Sequence, residues 1–305
     1  MRVTDGMVAR SLLRDIDRNA EHILSLQTKL GTGREINKPS DNPTGMVASL
    51  QYRGEISEIE QYGSNMSSSL EWMNATSVAM GKVEDILFEV NDACASTSTD
   101  LATPEQRNSL AVLIDQYLRE LIDVANDTSR GRYLFGGTET GTAPFSPDDP
   151  DNITSVTQNP DGISSDLNRE IGLNQIIKIN VNGDSLFQPD GAGDPDTDIF
   201  QVLIDLRDAL LADDTDAITT GMTRIADVQE HVLETDSILG ATIKRVEFSQ
   251  ENLTYEILNK QERLSDVEDT DYTKTIIEYY EAQNMYDTAL SVGAQIIQMS
   301  IIDYL

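Results

Sequence analysis

"ITTGMTRIADVQEHVLETDSILGATIKRVEFSQENLTYEILNKQERLSDV", residues Ile218–Val267, carries apolar side chains at Ile218, Met222, Ile225, Val232, Leu239, Ile243, Val246, Leu253, Ile257, Leu264 and Val267. Steps of four and three separate them, with Gln229, Asp236, Gln250 and Lys260 at the intervening polar positions. That spacing is the seam of a coiled coil, not the alternating face of a strand. A helix of that length approaches about 75 Å at 1.5 Å per residue.

The same period recurs elsewhere. Near the start it runs through Ala9, Leu13, Ile16, Ala20, Ile23, Gln27 and Leu30. A second series holds Tyr52, Ile56, Ile59, Gly63, Met66, Leu70, Met73, Ser77, Met80, Glu84 and Leu87. A third follows "TPEQ", where Thr103 is a cap and Pro104 a first helical residue, and uses Leu110, Ile114, Tyr117, Leu121 and Val124. After "EDTD", with Asp271 as cap, the period resumes through Tyr272, Ile276, Tyr279, Tyr286, Leu290 and Ile297. The reading is mainly α: long antiparallel coiled-coil helices from both chain ends, as helical rods over 1–137 and 198–305.

Residues 138–197 differ in composition, rich in Pro, Gly, Asp, Asn, Ser and Thr, and read as a small β-rich domain inserted in the middle. "QIIKINV" alternates Ile177, Ile179 and Val181 with Lys178 and Asn180, and Asn182-Gly183 supplies a two-residue hairpin turn into "DSLF". "ITSVTQ" and "LNREIGL" are further strand candidates.

Charge narrows the function. With 22 basic against 53 acidic residues the net charge is -31, and no basic stripe exists to replace the counterions of a nucleic acid. The same charge repels copies of the chain at low salt, so self-assembly must bury apolar surface or be screened. No run reaches membrane-spanning length, and the first twenty residues lack the apolar stretch of a cleavable signal.

Candidate chemical sites fare poorly. Asp194, Asp196 and Asp198 have calcium-loop spacing, but Ile199 stands where the loop needs glycine and Asp205 where it needs a bidentate glutamate, so Asp198 reads better as the cap of the following helix. His22 and His231 complete no zinc set, and Cys94 reads as a small packing residue. No nucleophile, base and orienting group stand together, so the chain reads as a non-enzyme without cofactor or metal. "IIQMSIIDYL", Ile296–Leu305, leaves almost no polar face and implies burial against a partner.

"KLGTGREINKPSDNPTG", Lys29–Gly45, has two glycines of a dinucleotide loop but neither the third nor a preceding strand. It reads instead as a helix-to-helix corner, longer than the usual two to eight residues. Gly31 and Gly33 end one helix, Pro39 prevents its resumption, and Asn42 with Pro43 starts the next.

Together with "MRVTDGM", "SRGRYLFGGTETGTAPF" (Ser129–Phe145) and the ending "ALSVGAQIIQMSIIDYL", this corner resembles the signatures of bacterial flagellins and, in "KPSDNP", of the FlgL family of hook-filament junction proteins. The resemblance covers nearly all of the chain outside residues 146–197. It implies an extracellular structural protein of the bacterial flagellum, exported by the flagellar type III apparatus. Paired terminal helices would line a tube, and a β-rich domain would face outward. The implied partners are copies of itself in a ring, a FlgK-type hook-associated protein, flagellin and a FlgN-type export chaperone, with no nucleic acid and no membrane. The residues expected at the assembly interface are Leu13, Ile16, Ile23, Leu30, Arg34, Asp41, Leu290, Ile297, Ile301 and Leu305. A filament-forming flagellin and a non-flagellar coiled-coil scaffold are the alternatives.

Overall fold

A computed structural model describes residues 5–95 and 103–302. Three helices come first: α1 (Asp5–Thr32), α2 (Pro43–Ala95) and α3 (Pro104–Ala125). Six short strands follow: β1 (Thr128–Ser129), β2 (Arg132–Tyr133), β3 (Phe145–Pro147), β4 (Val156–Gln158), β5 (Asn168–Gly172) and β6 (Gln175–Lys178). The chain then returns to helix in α4 (Gly183–Phe187), α5 (Ile199–Ala212), α6 (Thr215–Glu268) and α7 (Tyr272–Ile302). Two compact units result, Met1–Ile59 with Thr254–Leu305, and Glu60–Leu253, and α2 and α6 contribute to both.

The long helices follow their seams. In the second unit Met66, Met73, Met80 and Leu87 of α2 are buried with Ile225, Val232, Leu239 and Val246 of α6. Ser77 donates to Asp236 at 3.0 Å and Gln250 to Ser67 at 2.9 Å, so α6 runs antiparallel to α2. The α3 N-terminus is a full capping box: Gln106 N–H donates to Thr103 Oγ1, Thr103 N–H donates to Gln106 Oε1, and Pro104 follows the cap. Asp198 caps α5 as expected, its Oδ1 accepting from the backbone of Phe200 and Gln201. Cys94 is fully buried, and burial pushes its thiol up to about 12.

The central module consists of three two-stranded antiparallel ladders, β1-β2, β3-β4 and β5-β6. Positive φ at Arg130 and Gly131 makes the first a two-residue hairpin of the twist-compatible kind. Gly137 (φ +60°) passes so close to the neighbouring loop that a Cβ there would lie 2.0 Å from the Gly162 carbonyl oxygen. Phe135, Phe145, Phe187 and Phe200 close the module onto α5, with ring centroids 5.1–5.5 Å apart. This cluster joins the core of the long helices, giving a module of this size more buried surface than its own strands supply.

One local expectation fails. Strands do form in "LNREIGL", "ITSVTQ" and the first half of "QIIKINV", but the Asn182-Gly183 turn is not a hairpin. Strand β6 pairs back with β5 through a turn at Leu173 and Asn174, where Asn174 takes the positive φ. "DSLF" is helical, because Asn182 keeps φ at -76° and spends its side chain on Ser164 O and Asp166. Gly183 abuts the Phe135 carbonyl, and Leu186 and Phe187 then enter the core.

Candidate assembly interface

In the first unit α1 and α7 pack antiparallel: Gln27 donates to the Tyr279 hydroxyl at 3.1 Å, and Gly293 lies against Leu12 and Ile16. The stripe that α7 turns toward α1 alternates half-buried Tyr279 and Tyr286 with small residues, Thr275 and Ala282 being buried and Gly293 shut in, so the two helices approach closely at Gly293. Leu26 is the most buried apolar residue of α1, with Leu12, Ile16, Ile23 and Leu30 half-buried on the same side. That stripe keeps Ile16, Ile23 and Leu30 of the expected seam but takes Leu12 in place of Leu13 and Leu26 in place of Gln27. Leu13 is 57% exposed and Leu290 44% exposed, so neither belongs to the intrachain contact.

The consequence is a helix pair with bulk on its outside. Leu24 on α1, and Tyr272, Ile277, Tyr280 and Met285 on α7, are all exposed. These side chains leave apolar surface on the outside of the pair. The side chains of Ile297 and Ile301, the whole of Leu305 and most of the terminal "IIQMSIIDYL" expectation lie outside the described residues.

The corner between α1 and α2 is tied down by one buried carboxylate. Glu268, at the end of α6, is 6% exposed. Its oxygens accept from Arg53 at 2.6 and 2.8 Å, from Arg34 at 2.9 Å and from Ser49 at 3.1 Å. Burial alone would push its carboxyl up, but the Arg53 and Ser49 hydrogen bonds and the Arg53 and Arg34 charges outweigh it and hold it below the ordinary glutamate value. Backbone bonds clamp the same place: Glu35 N–H to Glu268 O at 2.7 Å, and Thr270 N–H to Gly33 O at 3.0 Å. Gly33 holds φ +72°, as the end of a helix requires.

Arg34 and Asp41 are therefore occupied within the chain. Arg34 pairs with Glu268, and Asp41 Oδ2 accepts from the backbone of Asn37 and Lys38, folding the loop over buried Ile36. Asn42 caps α2, accepting from Gly45 N–H with Pro43 as first residue. The length of the corner thus serves a contact with the end of α6. Neither Glu268 nor Arg53 was expected at this place, because nothing in a local pattern links positions more than 200 residues apart.

Residues 3–140 match the bacterial flagellin N-terminal helical region, and residues 214–305 the bacterial flagellin C-terminal helical region. Between them the two regions account for well over half of the sequence.

The chain belongs to the flagellin family.

Within that family, flagellar hook-associated protein 3 of Escherichia coli is 22% identical over 313 residues, covering 96% of this chain and 95% of the relative. A flagellin of Clostridium tyrobutyricum is 25% identical over 142 residues, covering 46% and 38%. Among solved structures, the flagellar junction protein FlgL from Legionella pneumophila superposes with a TM-score of 0.59 at 14% identity, covering 72% of this chain and 99% of that one. The shared fold is the flagellin-family combination of long helices from both chain ends and a small module in the middle of the sequence. Membership makes this chain a structural component of the flagellum. Among the described residues no helix is long and apolar enough to cross a membrane.

Proposed function

We propose that this chain is the junction protein between the flagellar hook and the filament, a structural adapter and not a catalyst. The observation that carries the reading is the end-to-end match with a hook-associated protein, which runs through the central module as well as the terminal helices. The "KPSDNP" corner and its clamp on Glu268 fit the same reading, because an adapter needs a rigid joint where its terminal helices begin.

In this role the outward faces of α1 and α7 bury Leu13, Leu24, Tyr280 and Leu290 against neighbouring copies. Ile16, Ile23 and Leu30 hold the two helices together from within. Copies form a ring between a FlgK-type protein on the hook side and flagellin on the filament side. Before assembly the apolar C-terminal segment is covered by a FlgN-type chaperone, and export uses the flagellar type III apparatus. The module within residues 138–197 faces outward. Deleting the gene tests the proposal: hooks should persist while flagellin is shed into the medium unpolymerised. Loss of the filament subunit itself, with the junction intact, would make the chain a flagellin instead.

A further inference from the structure

Helix α2 runs unbroken from Pro43 to Ala95, yet one stretch of it is poor helix-forming sequence. Residues 63–69 read Gly-Ser-Asn-Met-Ser-Ser-Ser, and only Met66 is a good helix former. Gly54 and Gly81 also interrupt α2, but each stands alone among better formers such as Arg53, Glu55, Met80 and Lys82. Packing does not explain Gly63, because a Cβ added there would meet no atom within 4 Å. The seam is open at that position, between buried Ile59 and Met66.

Backbone bonding is contested at the same place. Ser67 Oγ donates to Gly63 O at 3.0 Å and Ser69 Oγ to Asn65 O at 2.7 Å, each competing for a carbonyl that the helix itself uses, an arrangement that favours bending. The facing layer of α6 is polar as well: Gln250 donates to Ser67 Oγ at 2.9 Å, and Ser249 Oγ donates to Arg245 O. The boundary of the compact units crosses α2 after Ile59 and α6 after Leu253, about one helical turn from Gly63 and Gln250.

The central module holds this stretch from outside. The β5-β6 hairpin is anchored by Ile171 and Ile177, buried in the same core as Met66. Where its ladder shifts register between Glu170 and Gly172, the Glu170 carbonyl accepts from Asn65 Nδ2 at 2.9 Å. Gln61 Nε2 donates to Asn65 Oδ1 at 3.1 Å and so orients that amide.

We infer that α2 carries a joint at residues 63–69 and that the β5-β6 hairpin is its latch. While Asn65 holds the Glu170 carbonyl the stretch stays helical, and when that bond opens the helix bends there. A joint confined to these residues takes up a misfit between unlike neighbours without loosening the apolar layers at Met73, Met80 and Leu87. That use rests on the junction reading, in which one ring meets a hook-side protein and the filament; the joint itself does not.

Hydrogen exchange on the full-length chain tests the joint. Amides of residues 67–73 donate to the carbonyls of residues 63–69, and their protection should be at least about tenfold lower than over residues 79–87 of the same unit. Asn65→Asp keeps the size and helix propensity but cannot donate, and should lower protection of residues 67–73 by about threefold or more. Gly63→Ala combined with Ser64→Ala and Ser68→Ala leaves Ser67 to Gln250 and should raise that protection at least about tenfold. Uniform protection over residues 67–87 overturns the joint, and unchanged exchange in Asn65→Asp overturns the latch, whatever the role of the chain. In flagella, the triple variant should be incorporated but lose filaments under shear several-fold more readily. Filament retention equal to that of the unsubstituted chain overturns the use of the joint at the junction. Absence of the unsubstituted chain from flagella overturns the junction reading, and that use with it, and leaves the joint standing.

Discussion

Replacing Glu268 by glutamine removes the charge at the centre of the corner while keeping its shape. The acceptor it weakens receives bonds from Arg53, Arg34 and Ser49. Hydrogen bonds to a charged group are worth about 1.5–3 kcal/mol each. Arg53 and Arg34 are 43% and 50% exposed, so water takes them back when the carboxylate goes, and the sum must be discounted. A local loss of about 2–3 kcal/mol is expected, below the roughly 3–5 kcal/mol of a fully buried pair broken on one side. Global unfolding of a chain with two compact units is a poor assay, because it need not be two-state. Hydrogen exchange at the amides of Glu35 and Thr270, which bridge the corner, reads the loss directly. Protection there should fall roughly 30- to 150-fold, at about 1.4 kcal/mol per factor of ten. The same amides should show a pH dependence. Because the folded carboxyl lies below its unfolded value of about 4.3, its contribution is complete above that pH and disappears as the pH falls through the folded value, and the glutamine variant should lack this slope. Replacing Arg53 and Glu268 together by methionine should cost less than the sum of the single losses, since no lone charge is left buried. Unchanged exchange in Glu268→Gln, or strict additivity in the double variant, would refute the clamp.

Gly137→Ala should be far more damaging than a surface glycine change, since the new Cβ meets the Gly162 carbonyl at 2.0 Å and φ is +60°. The φ penalty alone is about 1–2 kcal/mol, and backbone displacement adds to it, so exchange protection of the Thr138 amide, which donates to the Gly162 carbonyl at 3.0 Å, should fall at least about fivefold. Leu13→Glu should leave the stability of the isolated chain within about 0.5 kcal/mol, because the side chain is mostly in water, yet prevent incorporation into flagella. A monomer that unfolds more readily would instead place Leu13 inside the helix pair.

The long helices were legible because a repeat of four and three persists across α2 and α6, and few other structures tolerate it. Caps were legible for the same local reason, as Thr103 and Asp198 illustrate. The failures have physical causes. Leu12 and Leu13 are adjacent, as are Ile276 and Ile277, so apolarity alone leaves the phase of α1 and α7 open by one residue. The partner decides it, and beside Tyr279 and Tyr286, which the repeat does name, the partner surface holds Thr275, Ala282 and Gly293, which no hydrophobic repeat would nominate. At Asn182-Gly183 a favourable turn dipeptide lost to the side-chain bonds of Asn182 and to burial of Phe187. The clamp on Glu268 was invisible, because its members come from two helices and a corner brought together only by folding.

The small stripe on α7 also sets what this chain can tolerate over generations. Where α7 meets α1 at Gly293, a single added carbon would lie 2.9 Å from Leu12 Cδ2, so growth there must push that side chain aside. On the outer faces the restriction is opposite: a larger or different apolar group costs the lone subunit nothing but alters what it fits. Changes in steric bulk are therefore filtered by the fold on one side of the same helix and by the neighbours on the other. Drift in the outer positions should track drift in whichever flagellar proteins lie against them, while the inner positions stay nearly constant in size.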